Sequence, residues 1–277
     1  MIKLGDFNDL EVIRESSIGY YLDGTDDGIL LPYGNTLERK LELGEKIHAF
    51  IYRDSKDRLI ATLKTPLATI HTVAYLEVKS ITELGAFVDF GLERDILVPI
   101  KEQKYKLELG KKYLFYIYED KTHRLAATTD IDRALDIWED VTLGEETTGT
   151  IYGYQTNGSL MIAVNGLCRG VILNNEYFSD LRPGDEVKVR VKKIYEDGKV
   201  GVTPRRQKLE ERSELQEKIL QYLKDNGGAM SYNDKTSPET IKEIFNSSKN
   251  YFKMALGGLM RENLITQDEN GTKLIKK

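Results

Sequence analysis

The densest chemistry in the chain is a set of cations approaching residue 200. Lys188, Arg190, Lys192 and Lys193 come first, and Arg205, Arg206 and Lys208 follow. Alternate cations along an extended segment suit a phosphate backbone, which they neutralise without reading its sequence. Aromatic side chains offer the complementary chemistry. Tyr21 and Phe87 each stand two residues after a glycine, Gly19 or Gly85, in short segments that would turn a ring toward an unstacked base. Such stacking is worth about 1–3 kcal/mol per base and tolerates any sequence. Tyr152 and Tyr154 are spaced to share one face of a similar segment, and Lys249, Lys253 and Gly257 to line one face of a helix.

Other chemistries find no pattern. His48, His71 and His123 are scattered, with no His-x-x-x-His and no carboxylate at ligand spacing. No phosphate-binding Gly-x-x-x-x-Gly-Lys, no Gly-x-Ser-x-Gly and no zinc motif occurs. The carboxylates follow turns and strand edges, as solvating charges do. The reading is a chain with no enzymatic activity, no cofactor and no metal.

The elements that must position these side chains are short strands. From Gly85 to Thr128, apolar and β-branched runs of four to eight residues alternate with Gly, Asp, Lys and Glu. The same rhythm lies upstream at a fixed offset: Gly19 and Gly85, Gly44 and Gly110, and Thr62 and Thr128 each stand 66 residues apart. Residues 1–65 and 66–130 are thus two copies of one unit. In the first copy, strands are expected at 10–14, 19–22, 28–32, 46–52 and 58–63, with Leu41-Glu-Leu-Gly before the fourth. Residues 131–138 are amphipathic and read as a connector helix. A more diverged third copy places strands at 148–152, 159–164, 170–173, 186–194 and 199–203. Five strands per unit, with too little helix for an α/β architecture, describe five-stranded barrels in tandem.

From residue 208 the pattern turns helical. A helix is expected at 209–223, ended by Asn226-Gly-Gly. Ser237-Pro238-Glu239 is an N-cap followed by Pro at the first helical position, opening a second helix to Phe245. A third covers 249–263 with Phe252, Leu256, Leu259 and Met260 on one face, and a hairpin follows at 265–275. A weak strand at 229–232 completes the outline of a winged helix. Gly257-Gly258 inside a helix costs about 1 kcal/mol each, so close packing is expected there.

The chain of 277 residues is thus mainly β with a C-terminal α+β module: barrels at 1–65, 66–144 (connector included) and 145–208, then a winged helix at 209–277. Its net charge of −5 is unevenly spread. Residues 1–65 carry −3 (9 Lys and Arg against 12 Asp and Glu) and 66–144 carry −4 (10 against 14). Residues 145–208 carry +2 (10 against 8), and 209–277 are neutral (11 against 11). A polyanion is expected on the second half and a protein partner on the acidic first half. No run approaches the roughly 18 apolar residues of a membrane span. The charged N-terminus lacks a signal peptide's apolar stretch, and a lone cysteine, Cys168, suits a reducing cytoplasm.

The order Gly-Ala-Phe-Val-Asp-Phe-Gly (85–91), Ile-Leu-Val-Pro (96–99), Leu-Gly-Lys-Lys (109–112) and Leu-Ala-Ala-Thr (125–128) resembles the S1-type RNA-binding OB-fold. The third copy, with Arg-Pro-Gly-Asp-Glu-Val-Lys-Val-Arg-Val (182–191) and Asp-Gly-Lys-Val-Gly-Val-Thr (197–203), resembles it more strongly. Ile18 and Leu84 stand where such repeats often carry a further aromatic, Met161 aligns with Phe87, and no third strand carries a His. Three such units before a winged helix resemble the conserved virulence factor B family of bacterial RNA-binding regulatory proteins. That resemblance implies binding of RNA, control of gene expression after transcription, including virulence-factor expression, and no catalysis. From the residues themselves, single strands are the expected ligand, met mainly by the third barrel and the winged helix. A scaffold docked on ribosome or polymerase, and duplex DNA on the winged helix, are the alternatives.

Overall fold

A computed structural model describes residues 2–54, 56–177, 180–204 and 208–275, the side chains of 208–213 excepted. The first barrel holds β1 (Phe7–Ser16), β2 (Gly19–Leu22), β3 (Ile29–Pro32), β4 (Lys46–Arg53) and β5 (Leu59–Thr62). The second holds β6 (Val73–Thr82), β7 (Gly85–Val88), β8 (Ile96–Pro99), β9 (Lys112–Glu119) and β10 (Leu125–Thr128). The third holds β11 (Glu146–Tyr154), β12 (Leu160–Val164), β13 (Cys168–Ile172), β14 (Glu186–Ile194) and β15 (Val200–Thr203). All three close with the same neighbours: first strand to second, third, fifth, fourth and back to the first.

Physical constraints explain the repeated anchors. Gly19 and Gly85 have φ of +152° and +148°, and a Cβ there would lie 2.2 Å from the Leu31 carbonyl oxygen or 2.1 Å from that of Val98. No other residue fits so close to a neighbouring strand. Gly44 and Gly110 take φ of +86° and +76° in a turn that clasps a β-bulge in the first strand. The Gly44 N–H donates to the Val12 carbonyl at 2.8 Å and the Val12 N–H to Glu45 at 2.9 Å. Gly110 with Val78, and Gly184 with Ile151, repeat the clasp. The Thr62 and Thr128 hydroxyls accept the Lys64 and Asp130 N–H, each at 3.0 Å.

Alternation along β4 holds for Ile47, Ala49 and Ile51, which fill the first barrel. Phe50 and Tyr52 on the opposite face are buried too, in one cluster with Phe90, Val98 and Phe115 of the second barrel. The strand is covered on both sides because another barrel packs against it. The connector is not the helix expected. Apart from one 3-10 turn, Asp132–Ala134, it runs extended, and Asp136 bridges Cys168 at the edge of β13. Ile131 and Leu135 are buried in a cluster with Leu114, Tyr152 and Ala163, so tertiary burial, not helical periodicity, accounts for the amphipathic spacing.

The C-terminal module comprises α1 (Lys208–Asp225), β16 (Ala229–Met230), α2 (Pro238–Phe245), α3 (Lys249–Arg261), β17 (Ile265–Asp268) and β18 (Gly271–Leu274). Its sheet order is β16-β18-β17. Ser237 caps α2 by accepting the Thr240 N–H, and Ser248 caps α3 by accepting that of Tyr251. Phe252, Leu256 and Leu259 of α3 share a core with Leu215, Ile219 and Leu223 of α1. Met260, expected on that face, is exposed. At Gly258 a Cβ would meet the Gln216 Nε2 at 2.1 Å, which is the close packing expected, whereas at Gly257 it would meet nothing within 4 Å.

Candidate nucleic-acid interface

The three copies treat the second-strand position differently. Tyr21 pairs across β1 with Arg14, whose guanidinium lies 3.9 Å from the Tyr21 ring centroid. Phe87 pairs with Ser80, a small residue, is half-buried and lines a groove between the first two barrels. Met161 pairs with Gly153 and packs under the connector and the second barrel. The third barrel's second-strand face is therefore occupied by protein.

Tyr152 belongs to that covered face. It is the bulge residue of β11, 3% exposed, and its hydroxyl donates to the Asp132 carboxylate at 2.7 Å. Burial and the neighbouring carboxylate push its phenol well above the usual range, which keeps the hydroxyl protonated and donating. The expectation that Tyr152 stacks on a base is overturned: its ring is a strut between barrels. The bulge also breaks the alternation that would have placed Tyr152 beside Tyr154. Tyr154 is 52% exposed.

The cations of β14 face outward. Lys188, Lys192 and Lys193 are exposed, and Arg190 is half-buried opposite Glu146. A second bulge, between Val191 and Lys193, brings Lys192 and Lys193 to the surface in succession. The Lys192 ammonium pairs with the buried Glu176. Lys188 and Lys193 join no ion pair among the described residues. Lys193 Nζ sits 4.5 Å from the Tyr195 ring centroid, and Lys199 Nζ lies 5.4 Å from it. Tyr195 and Lys199 were not singled out from the sequence; their signal was a Tyr and a Lys flanking the Asp197-Gly198 turn, which sets both beside β14. Arg205 and Arg206, and the side chain of Lys208, lie outside the described residues.

On α3, Lys253 is exposed and Gly257 opens outward beside it. The half-buried Lys249 donates to the Lys235 carbonyl at 3.3 Å, so this face carries one fully projecting cation of the expected pair. Among the described residues no cluster of His, Cys, Asp and Glu could hold a metal ion, and no helix is long and apolar enough to cross a membrane.

Comparisons with known proteins agree with this layout. The S1 domain matches residues 4–64 and 72–130, which are the first two barrels, and the CvfB-like winged helix domain matches 217–274. A Bacillus subtilis protein named Uncharacterized protein YitL is 32% identical over 277 residues, covering 97% of this chain and 92% of its own. Conserved virulence factor B of Staphylococcus epidermidis is 27% identical over 288 residues, covering 99% and 95%. A crystal structure of a multidomain protein with nucleic acid binding domains from Streptococcus pneumoniae aligns over 98% of both chains, with a TM-score of 0.54 and 25% identity. With its S1 barrels and CvfB-like winged helix, the chain belongs to the conserved virulence factor B family.

Proposed function

We propose that this protein binds single-stranded RNA, without acting on it chemically, and regulates gene expression after transcription in the cytoplasm. The observation that carries the reading is the surface around the end of β14, where the exposed Lys193 lies against the Tyr195 ring and the half-buried Lys199, paired with Asp197 at 3.6 Å, lies beside it. Cations alone would serve any polyanion. An aromatic among them favours a strand whose bases are free to stack. The S1 matches support nucleic acid as the ligand, and the relatives' name supports a part in virulence-factor expression. Tyr21, Phe87 and Tyr154 would offer further rings, and Lys253 a further cation on the winged helix.

Fluorescence anisotropy of a labelled single-stranded RNA across a salt series tests this. Changing Lys188 and Lys193 to alanine, and leaving Lys192 on Glu176, removes about two phosphate contacts. The slope of log affinity against log salt should then shrink by about 1.4, at roughly 0.7 per contact for single strands. An unchanged affinity and slope would refute β14 as the contact surface. A protein-scaffold reading draws on the acidic residues 1–144 (19 Lys and Arg against 26 Asp and Glu). A stoichiometric protein partner that survives nuclease treatment would favour it.

A further inference from the structure

The groove floored by Phe87 belongs to two barrels at once. It encloses about 600 Å³ and runs from β7 and β8 of the second barrel to β4 of the first, a volume in the range of ordinary ligand sites. Phe87 and Leu97 pair across β7 and β8 and form the floor, with Tyr52 of the first barrel opposite. Three arginines, Arg53, Arg94 and Arg124, form its rim.

The hydrogen bonds of these arginines fix the barrels to each other and leave part of their charge unspent. Arg124 clasps the Asp57 carboxylate with two of its nitrogens, and that contact crosses from the second barrel to the first. Arg53 donates to the His123 carbonyl at 2.8 Å, and Arg94 to the Asp54 carbonyl at 2.8 Å; both bonds also cross the boundary. A neutral carbonyl positions a guanidinium without cancelling its charge. Arg53 and Arg94 join no ion pair among the described residues. Four acids line the groove beside the three arginines: Asp57 is held by Arg124, Glu93 by Lys64 at 3.7 Å and Asp120 by the N–H groups of Thr122 and Arg124, while Asp95 joins no ion pair among the described residues and its carboxyl is pushed up by burial and by Asp89.

We infer that the first two barrels form one composite nucleotide site, with a base stacked on Phe87 and its flanking phosphate met by Arg53 and Arg94. This deepens the RNA-binding reading above and rests on it. The site would be incomplete in either barrel alone, because the ring comes from the second barrel and one of the two phosphate-facing guanidiniums from the first.

The test uses the full chain and a 5-bromouridine-containing single-stranded RNA, with photo-crosslinked peptides mapped by mass spectrometry and affinity read by anisotropy. Adducts are expected on the peptide holding Phe87. Phe87→Ala should weaken binding by about 5- to 150-fold, the range of one base stack, and Phe87→Tyr should restore it. Phe87 lies half-buried on the outer barrel face, so a circular-dichroism melt should show the alanine variant folded. RNA that binds the wild type with salt dependence, cross-links only within 186–203 and the winged helix, and ignores Phe87→Ala would overturn the composite site and leave the function standing. A wild type that binds no single-stranded RNA even at low salt would overturn both.

Discussion

Replacing Tyr152 by phenylalanine separates a strut from a stacking platform, because the ring is kept and only the hydroxyl is lost. In the structure that hydroxyl donates to Asp132 at 2.7 Å, and the ring sits among Leu114, Ile131, Leu135 and Ala163. A hydrogen bond to a charged group contributes about 1.5–3 kcal/mol, and a buried group left unpaired costs more. Asp132 is only half-buried, so its freed carboxylate regains water and the loss falls near the lower end, about 1–2 kcal/mol. That loosens the docked connector by about 5- to 30-fold. Hydrogen exchange reads it locally. The Ala134 N–H is bonded to the Ile131 carbonyl and the Arg169 N–H to that of Asp136, and both should exchange faster by that factor. Affinity for single-stranded RNA should stay within about twofold, since a retained ring would stack as before and a buried one never did. Tyr152→Ala should be harsher, at about 3–5 kcal/mol for an aromatic removed from a packed site. A Phe variant with unaltered exchange at these amides would refute the argument.

Three more outcomes are expected. Gly257→Ala should stabilise the winged helix by up to about 1 kcal/mol, because the site is open and Ala favours a helix over Gly. Gly258→Ala should destabilise it by about 1–3 kcal/mol through displacement of Gln216; thermal melts that rank the two alike would contradict the packing. Gly85→Ala should impair folding of the second barrel, since φ of +148° and a carbonyl oxygen 2.1 Å from the new Cβ leave it no room, and normal expression with a native melt would count against that. The Arg124 guanidinium beside Asp57 holds its carboxyl below the ordinary value of 3.8. The clasp is accordingly complete above pH 3.8 and lost as pH falls through the lowered value. Measured against the intrinsic rate at each pH, protection of the His123 amide should fall in acid, and Asp57→Asn should reproduce the loss of protection at neutral pH.

Much of the fold was legible because its constraints are local. A bulge clasped by a Leu-x-Leu-Gly turn needs a left-handed residue, and glycine meets that need wherever the unit recurs, at Gly44 and Gly110. Ser237-Pro238 and Ser248 mark helix starts because a side-chain oxygen satisfies an N–H a few residues away. The outward Lys188, Arg190 and Lys192 of β14 follow from strand period, whereas Lys193 is exposed only because of the bulge before it. The readings that failed depend on contacts remote in sequence. The spacing of 131–138 suits a helix as well as an extended strap whose apolar residues drop between two barrels. Tyr152 has an aromatic's composition and a strand's position, and only the second barrel's packing decides that its ring is unavailable.

By itself, then, the sequence determined three five-stranded units, a winged helix and the surface where lysines gather, since backbone torsion, capping and alternation act over a few residues. Tertiary structure decided which rings face solvent. Tyr21 lies against Arg14, Phe87 opens into a groove shared with the first barrel, and Met161 and Tyr152 are sealed under the second. Equivalent strand positions take these separate fates because exposure depends on which barrel packs on which face, and no interval in the sequence encodes that distance.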